Sequence, residues 1–521
     1  MNKTAFSIFF RILPLFLSAA ALLFTLRASA DLVLTNDTMV TTWSDSFSRE
    51  AYGQRQNFFL GSFFINYYPQ YFISYRDHSR GGASNLEMLT NRLQKYGIPD
   101  AGASHGKTNS LNIFYVSGNG DNDMDDSYDS NSIYGFFKGL LQYPTNTYNR
   151  FGLLTNDWSQ PNPQALYQSV VIGDIPYHKL DGYPAARDYS NGGRNAAIED
   201  GVPFVDTWSN LLSVVTNAYF NGPNLWFNAP AFDHPANELH LLWTLTTLRS
   251  LGVDTNTYTA VIDFNGATVS STNHCTVTAL ARNENSISFT FHADRMAPGF
   301  YVPDGDITND CRGAFTLMPS LGNQFCEILR ITNLPAGNYA LNMDGSNVVT
   351  VSSAQFAAGY NSFTNYSGPF WAQKKEILGL MCDMADFLRS DASTHAHPGD
   401  NQLMVDYEAY ASARWPTNAG MDPYIGLMSD REAELQAEDI LIHSAAQQTN
   451  HTFTVTLLPP PPSLNIGRAG NETVLSWTNP SYLLQSATSL SGPFTTLPSA
   501  TNPYTNPLSG PTEFFRLITN Q

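Results

Sequence analysis

Apolar and polar positions change their rhythm several times along the chain. Residues 31–257 alternate short apolar runs with amphipathic helical patterns, which predicts an α/β layer fold. TMVTTW (38–43), FFINYYPQYFISYR (63–76), LNIFYVSG (111–118), SVVIGDIP (169–176) and VPFVDTW (202–208) read as strands or strand ends. Their apolar character is nearly continuous, as expected of a parallel sheet covered on both faces. Between them, NLEMLTNRLQKYGI (85–98) places Leu86, Leu89 and Leu93 on one helical stripe, with Gly97 as the stop. HLLWTLTTLRSLGV (240–253) does the same with Leu241, Leu245 and Leu248, and Gly252 is the expected cap.

From residue 258 to 365 the rhythm is β: TYTAVIDF, CTVTALA, SISFTFHA and NVVTVS alternate between Asn, Gly and Pro turns. This β-rich accessory domain is expected to be a small sandwich, with a hairpin between LPAGNY and MDGSN. Residues 366–447 are expected to be a helical segment packing on the α/β domain. Within it, Ile377, Met381, Met384 and Leu388 share a stripe. The run LPPPP (458–462) is a stiff polyproline spacer, and 463–521 form a C-terminal β-sandwich module.

The first thirty residues carry Lys3 and Arg11, an apolar run broken by Pro14 and Ser18, and a small-residue ending at Ala30. That pattern predicts a signal peptide cleaved after Ala30 and a secreted, extracellular or periplasmic chain. No later segment approaches the roughly 20 apolar residues of a membrane span. A formal charge of −18 argues against nucleic acid as a partner. Of Cys275, Cys311, Cys326 and Cys382, the pair Cys311 and Cys326 is the one expected to form a disulfide, adding about 3 kcal/mol; the others read as buried thiols. No Cys or His spacing suggests zinc, and neither metal nor cofactor is expected.

Four polar stretches break the apolar pattern at strand or helix ends: WSDSFS (43–48), YRDHSRGGASN (75–85), SGNGDND (117–123) and AFDHPANELH (231–240). In order and spacing they resemble the blocks of the SGNH hydrolases, the GDSL esterase/lipase family. The likeness runs over about 31–390 and includes the helix after HPANELH and the LPAGNY hairpin. It implies a three-layer SGNH-like fold and an ester hydrolase. Ser46 would be the nucleophile and His234 the general base. The oxyanion would be held by the Ser46 amide, the Ser79 or Gly81 amide and the Asn122 side chain. Three positions depart from the family pattern: Ser44 and Ser79 replace glycines, and Ala231 stands where the triad Asp belongs. Losing that Asp in a comparable triad costs on the order of ten-thousandfold in turnover. Asp233 is the candidate replacement; a Ser–His dyad steadied by a backbone carbonyl is the other.

Blander roles stand beside these. Asp45 and Ser46 could cap a helix. Ser62, His78 and His240 read as structural, and the acidic run from Asp121 to Asp129 reads as a solvated loop lacking the Gly and Glu of a calcium loop. The expected activity is that of a secreted serine esterase removing acyl groups, foremost acetyl, from a small-molecule or polysaccharide substrate of plant or algal origin. The alternative is a catalytically impaired SGNH-like carbohydrate-binding or surface protein. A third reading is metal-assisted hydrolysis by the acidic run. The C-terminal module is expected to attach the protein to a glycan or cell surface.

Overall fold

Five parallel strands make the first layer, and the apolar runs of the sequence supply them. In the computed structural model the described residues are 32–44, 56–79, 86, 109–116, 129–151, 166–176, 183–221, 225, 235–300, 311–389, 421–459, 462–478, 482–497, 500–507 and 512–519. The elements of the first unit are β1 (Thr38–Trp43), α1 (Gln56–Tyr67), β2 (Ser74–Asp77), β3 (Asn109–Tyr115), α2 (Ser130–Phe151), β4 (Leu166–Ile172), α3 (Tyr183–Glu199), β5 (Phe204–Val205), α4 (Thr207–Asn221) and α5 (Asn237–Ser250). The strand order is β2-β1-β3-β4-β5, and every pairing is parallel. This is a doubly wound order, whose direction reverses between β1 and β3. Every residue of β1 is buried, because the strand is central and covered on both faces.

The run 63–76, expected to be one strand, divides differently: Phe63 to Tyr67 close helix α1, and only Ser74–Asp77 is strand. Phe59, Leu60, Phe63, Phe64, Ile65 and Tyr67 are all buried. A helix wrapped in core on all sides loses its polar stripe, so a short apolar run does not reveal its period. Helix α5 is likewise buried around most of its circumference, Leu239, Leu242 and Trp243 included, rather than along the one expected stripe. Gly252 ends it with a φ of 68°. Of the expected helix 85–98, all but Leu86 lies outside the described residues.

The β unit follows with β6 (Tyr258–Asp263), β7 (Thr268–Asn273), β8 (Cys275–Arg282), β9 (Ser286–Ala293), α6 (Gly313–Leu317), α7 (Pro319–Gly322), β10 (Glu327–Thr332), β11 (Asn338–Met343), β12 (Ser346–Ser352), α8 (Ser353–Ala358) and β13 (Tyr360–Asn361). Helices α9 (Pro369–Arg389) and α10 (Met421–Ala446) come next, and then strand β14 (His451–Leu457). One sheet has the order β13-β10-β6-β7 and the other β12-β11-β14-β9-β8. Strand β14 therefore returns after two helices to pair on both edges, with β11 and β9. A single hydrophobic core runs from Val40 through the helices to Val455.

Two buried ion pairs tie the parts together. Asp439 of α10 holds Arg76 of β2 through both oxygens, at 2.9 and 2.8 Å. Lys374 of α9 meets Glu327 of β10 at 2.7 Å. Past the prolines, β15 (Leu464–Ala469), β16 (Glu472–Trp477), β17 (Tyr482–Ala487), β18 (Thr495–Thr496), β19 (Tyr504–Pro507) and β20 (Phe514–Thr519) form two three-stranded sheets. Their separate core is Leu475, Trp477 and Leu484.

The disulfide expected between Cys311 and Cys326 is not formed; all four cysteines are thiols. Cys311 is buried beside Tyr366, whose hydroxyl accepts its amide at 3.1 Å. Cys326 instead lies half-buried at the start of β10, its Sγ turned to the Asn323 carbonyl.

Candidate active site

The carboxyl ends of β1 and β2 are welded by side chains as well as by backbone. Thr42 pairs with Asp77 in the parallel register, and the His78 amide extends the ladder by donating to the Thr42 carbonyl at 2.9 Å. The next residues, Trp43 and His78, then lie side by side, with rings stacked at 4.7 Å. Trp43 Nε1 donates to Asn112 Oδ1 of β3 at 3.3 Å. Thr42 Oγ1 donates to Asp77 Oδ1 at 2.9 Å, and that oxygen also accepts the Ser79 amide at 3.1 Å and the Ser79 hydroxyl at 2.6 Å. These groups are buried, so each needs such a partner. Ser44, where the family pattern has glycine, is 1% exposed, and its hydroxyl has no hydrogen-bond partner among the described residues.

On the other side of the reversal, β3 ends at Tyr115 and Val116, whose amide donates to the Ile172 carbonyl of β4 at 2.9 Å. Strand β4 leads into Asp174, a buried carboxylate that accepts the Ile175 amide at 2.8 Å. Asp174 follows the strand after Gly173, within the stretch 169–176 whose pattern predicts a strand or strand end. Helix α5 approaches the same edge. Its Trp243 packs edge-on against Tyr115 at 5.4 Å. The chain beyond its far end is tied to the last residue of α1, because Arg295 binds Asp254 at 2.5 Å and lies over the Tyr67 ring at 4.1 Å. Tyr67 leads to the amino end of β2, so α5 runs antiparallel to the strands. Its amino end, which the buried Pro235 and Ala236 precede, therefore stands at their carboxyl ends.

Of the residues singled out in the sequence, Ser79 is described; Asp45, Ser46, Gly81, Asp121, Asn122, Asp123, Ala231, Asp233 and His234 lie outside the described residues. The Ser79 amide, one of two candidates for the second-block oxyanion donor, is instead directed at the Asp77 carboxylate. The reason is local: an Asp two residues earlier closes a tight turn onto that N–H. His78 and His240 are buried within the fold, and Ser62 returns its hydroxyl to the Phe59 carbonyl of α1 at 3.0 Å. Asp129, at the end of the acidic run, caps α2 by accepting the Ser132 amide and hydroxyl at 2.8 and 2.9 Å. Those hydrogen bonds hold its carboxyl below the usual carboxylate range. Among the described residues no three His, Cys, Asp or Glu side chains are grouped to hold a metal, and no helix is long and apolar enough to cross a membrane.

No family model and no curated protein matches the chain. Among solved structures it is similar to a gut microbial diltiazem-metabolizing enzyme, with a TM-score of 0.57 and 15% identity over 83% of this chain and 100% of that one. It also matches a member of the lipolytic protein G-D-S-L family from Veillonella parvula, at a TM-score of 0.28 and 13% identity over 41% of this chain and 97% of that one. A catalytic mutant of an acetylxylan esterase from Geobacillus stearothermophilus gives a TM-score of 0.30 and 12% identity over 43% and 97%. The first likeness extends over far more than the α/β layer. The fold is a parallel α/β layer followed by β-rich units, the layer architecture that the sequence resemblance implied.

Proposed function

We propose that the chain is a secreted serine esterase of the SGNH type, with Ser46 as nucleophile and His234 as general base. The observation that supports this reading most is topological. Three of the polar blocks continue from the carboxyl ends of β1, β2 and β3, which flank the reversal of strand order, and the fourth precedes the helix whose first turn stands at the same edge. Open α/β sheets bind their ligands in that crevice. Ser46 would attack the ester carbonyl while His234 takes its proton and returns it to the departing alcohol. The Ser46 amide, the Asn122 side chain and the Gly81 amide would hold the oxyanion, since the Ser79 amide is engaged by Asp77. Asp233 is the proposed orienting group for His234. The substrate class is an acylated carbohydrate or small molecule, foremost an acetyl ester, and the module at 463–521 serves attachment. The acetylxylan esterase among the similar structures is in keeping with that class.

The test is hydrolysis of p-nitrophenyl acetate by the purified protein. Ser46→Ala and His234→Ala should each lower turnover by about a thousandfold or more. Ala231 favours a second reading, a carbohydrate-binding or surface protein with a disabled triad. Equal rates for the wild type and both variants would select that reading and end the first.

A further inference from the structure

We propose that Asp77 is a positioning residue for the reaction, fixing the spacing between the strand end that leads to Ser46 and the turn that leads to Gly81. This rests on the esterase reading and deepens it. Regular β1–β2 pairing ends at Thr42 and Asp77, with one further bond from the His78 amide. Past that register pair, ladder geometry no longer dictates where either chain goes. Asp77 takes over there. Its Oδ1 gathers the Thr42 hydroxyl from β1 at 2.9 Å, and from its own turn the Ser79 amide at 3.1 Å and the Ser79 hydroxyl at 2.6 Å.

The rest of the network is arranged for that role. The Tyr75 hydroxyl lies 3.0 Å from Thr42 Oγ1; with the Thr42 proton given to Asp77, Tyr75 is the donor in that pair. Burial, and then the charge of Asp77, push the Tyr75 phenol well above its ordinary range, so it keeps the proton it donates. Thr42, Asp77 and Ser79 are 0, 4 and 1% exposed, which leaves water little part in holding the turn. The serine that replaces the family's glycine at 79 acquires a purpose: its hydroxyl makes the shortest of the three bonds, which glycine could not make. The role assigned to Asp77 is on the turn rather than on a reacting atom. It acts by setting where the turn points, and displacement of about 1 Å at an oxyanion donor costs on the order of a hundredfold in rate.

The experiment compares wild type, Asp77→Ala, Asp77→Asn and Ser46→Ala. It measures kcat per titrated active site and KM on p-nitrophenyl acetate, and hydrogen exchange of the segment holding the Ser79 amide. Asp77→Ala should lower kcat by about ten- to a hundredfold with KM within about twofold, and should speed Ser79 amide exchange. Asp77→Asn keeps an acceptor oxygen and should recover most of both. A merely structural Asp77 would reduce the folded fraction but leave kcat per titrated site unchanged. If Asp77→Ala does not fold, Thr42→Val and Ser79→Ala, each deleting one donor, should give smaller effects in the same direction. Unchanged exchange overturns the proposal whatever the activity. Faster exchange with unchanged kcat, in an enzyme that Ser46→Ala silences, overturns the positioning role. Activity indifferent to Ser46→Ala overturns the esterase reading, and with it the catalytic purpose of Asp77, while the exchange result still reports whether the carboxylate holds the turn.

Discussion

Glu327 illustrates how much one side chain does in this fold. Its Oε1 accepts Lys374 Nζ at 2.7 Å and the Ala297 amide at 2.9 Å, while its Oε2 accepts the Ser362 hydroxyl at 3.3 Å. Glu327 and Lys374 are 1 and 3% exposed, so neither charge is solvated once the other is gone. Glu327→Ala should destabilise by about 3–5 kcal/mol, read from urea unfolding, whereas replacing both residues with apolar ones should cost far less. Cys275 makes a chemical prediction. Burial pushes its thiol up to about 11, the Asp294 charge adding to the effect against hydrogen bonds that oppose it. Thiolate is the reactive form, so iodoacetamide at pH 8 should leave Cys275 unmodified in the native protein and modify it readily in denaturant, as mass spectrometry would record.

At the scale of elements, β1 was legible because TMVTTW is buried on both faces and needs no choice of face. The Phe-rich run before β2 was not, since full burial erases the period that separates helix from strand. Gly252 was legible for a different reason: a positive φ at a helix end selects glycine. Gly252→Ala should therefore cost about 1–2 kcal/mol in thermal unfolding. The β11–β12 hairpin carries a pH-sensitive contact where it meets β14. Asp344, at the turn, places Oδ2 2.7 Å from His451 Nδ1 and accepts the Thr452 amide at 2.8 Å through Oδ1. Desolvation pushes its carboxyl up, but the hydrogen bonds from His451 and Thr452 and the His451 charge outweigh it and hold the carboxyl below the usual range. A lowered folded-state pKa contributes stability above the unfolded value, near 3.9, and that stability disappears as pH falls through the folded value. Relative to Asp344→Asn, the wild type should thus lose stability more steeply below about pH 4.

For the molecule as a whole, helix α10 ties a late segment of the chain to the first layer. Its Asp439 neutralises Arg76, one residue before Asp77, and both partners are buried. Asp439→Ala removes the carboxylate that faces a fully buried guanidinium and should destabilise by about 3–5 kcal/mol. The module at 463–521 has its own core, so a chain ending at residue 458 should keep its melting temperature and its rate on a small ester; a large loss of either would mean that the module supports the site. The alternation of elements, the β texture after residue 258 and the order of the four polar blocks were determined by sequence, because each depends on local periodicity or on residues near one another in the chain. Tertiary structure alone decided that the Phe-rich run coils into α1, that β14 inserts between β9 and β11, and that the Ser79 amide turns to Asp77. Each of those outcomes is a competition between partners distant in sequence or alike in local preference, and only the packed arrangement of both determines which wins.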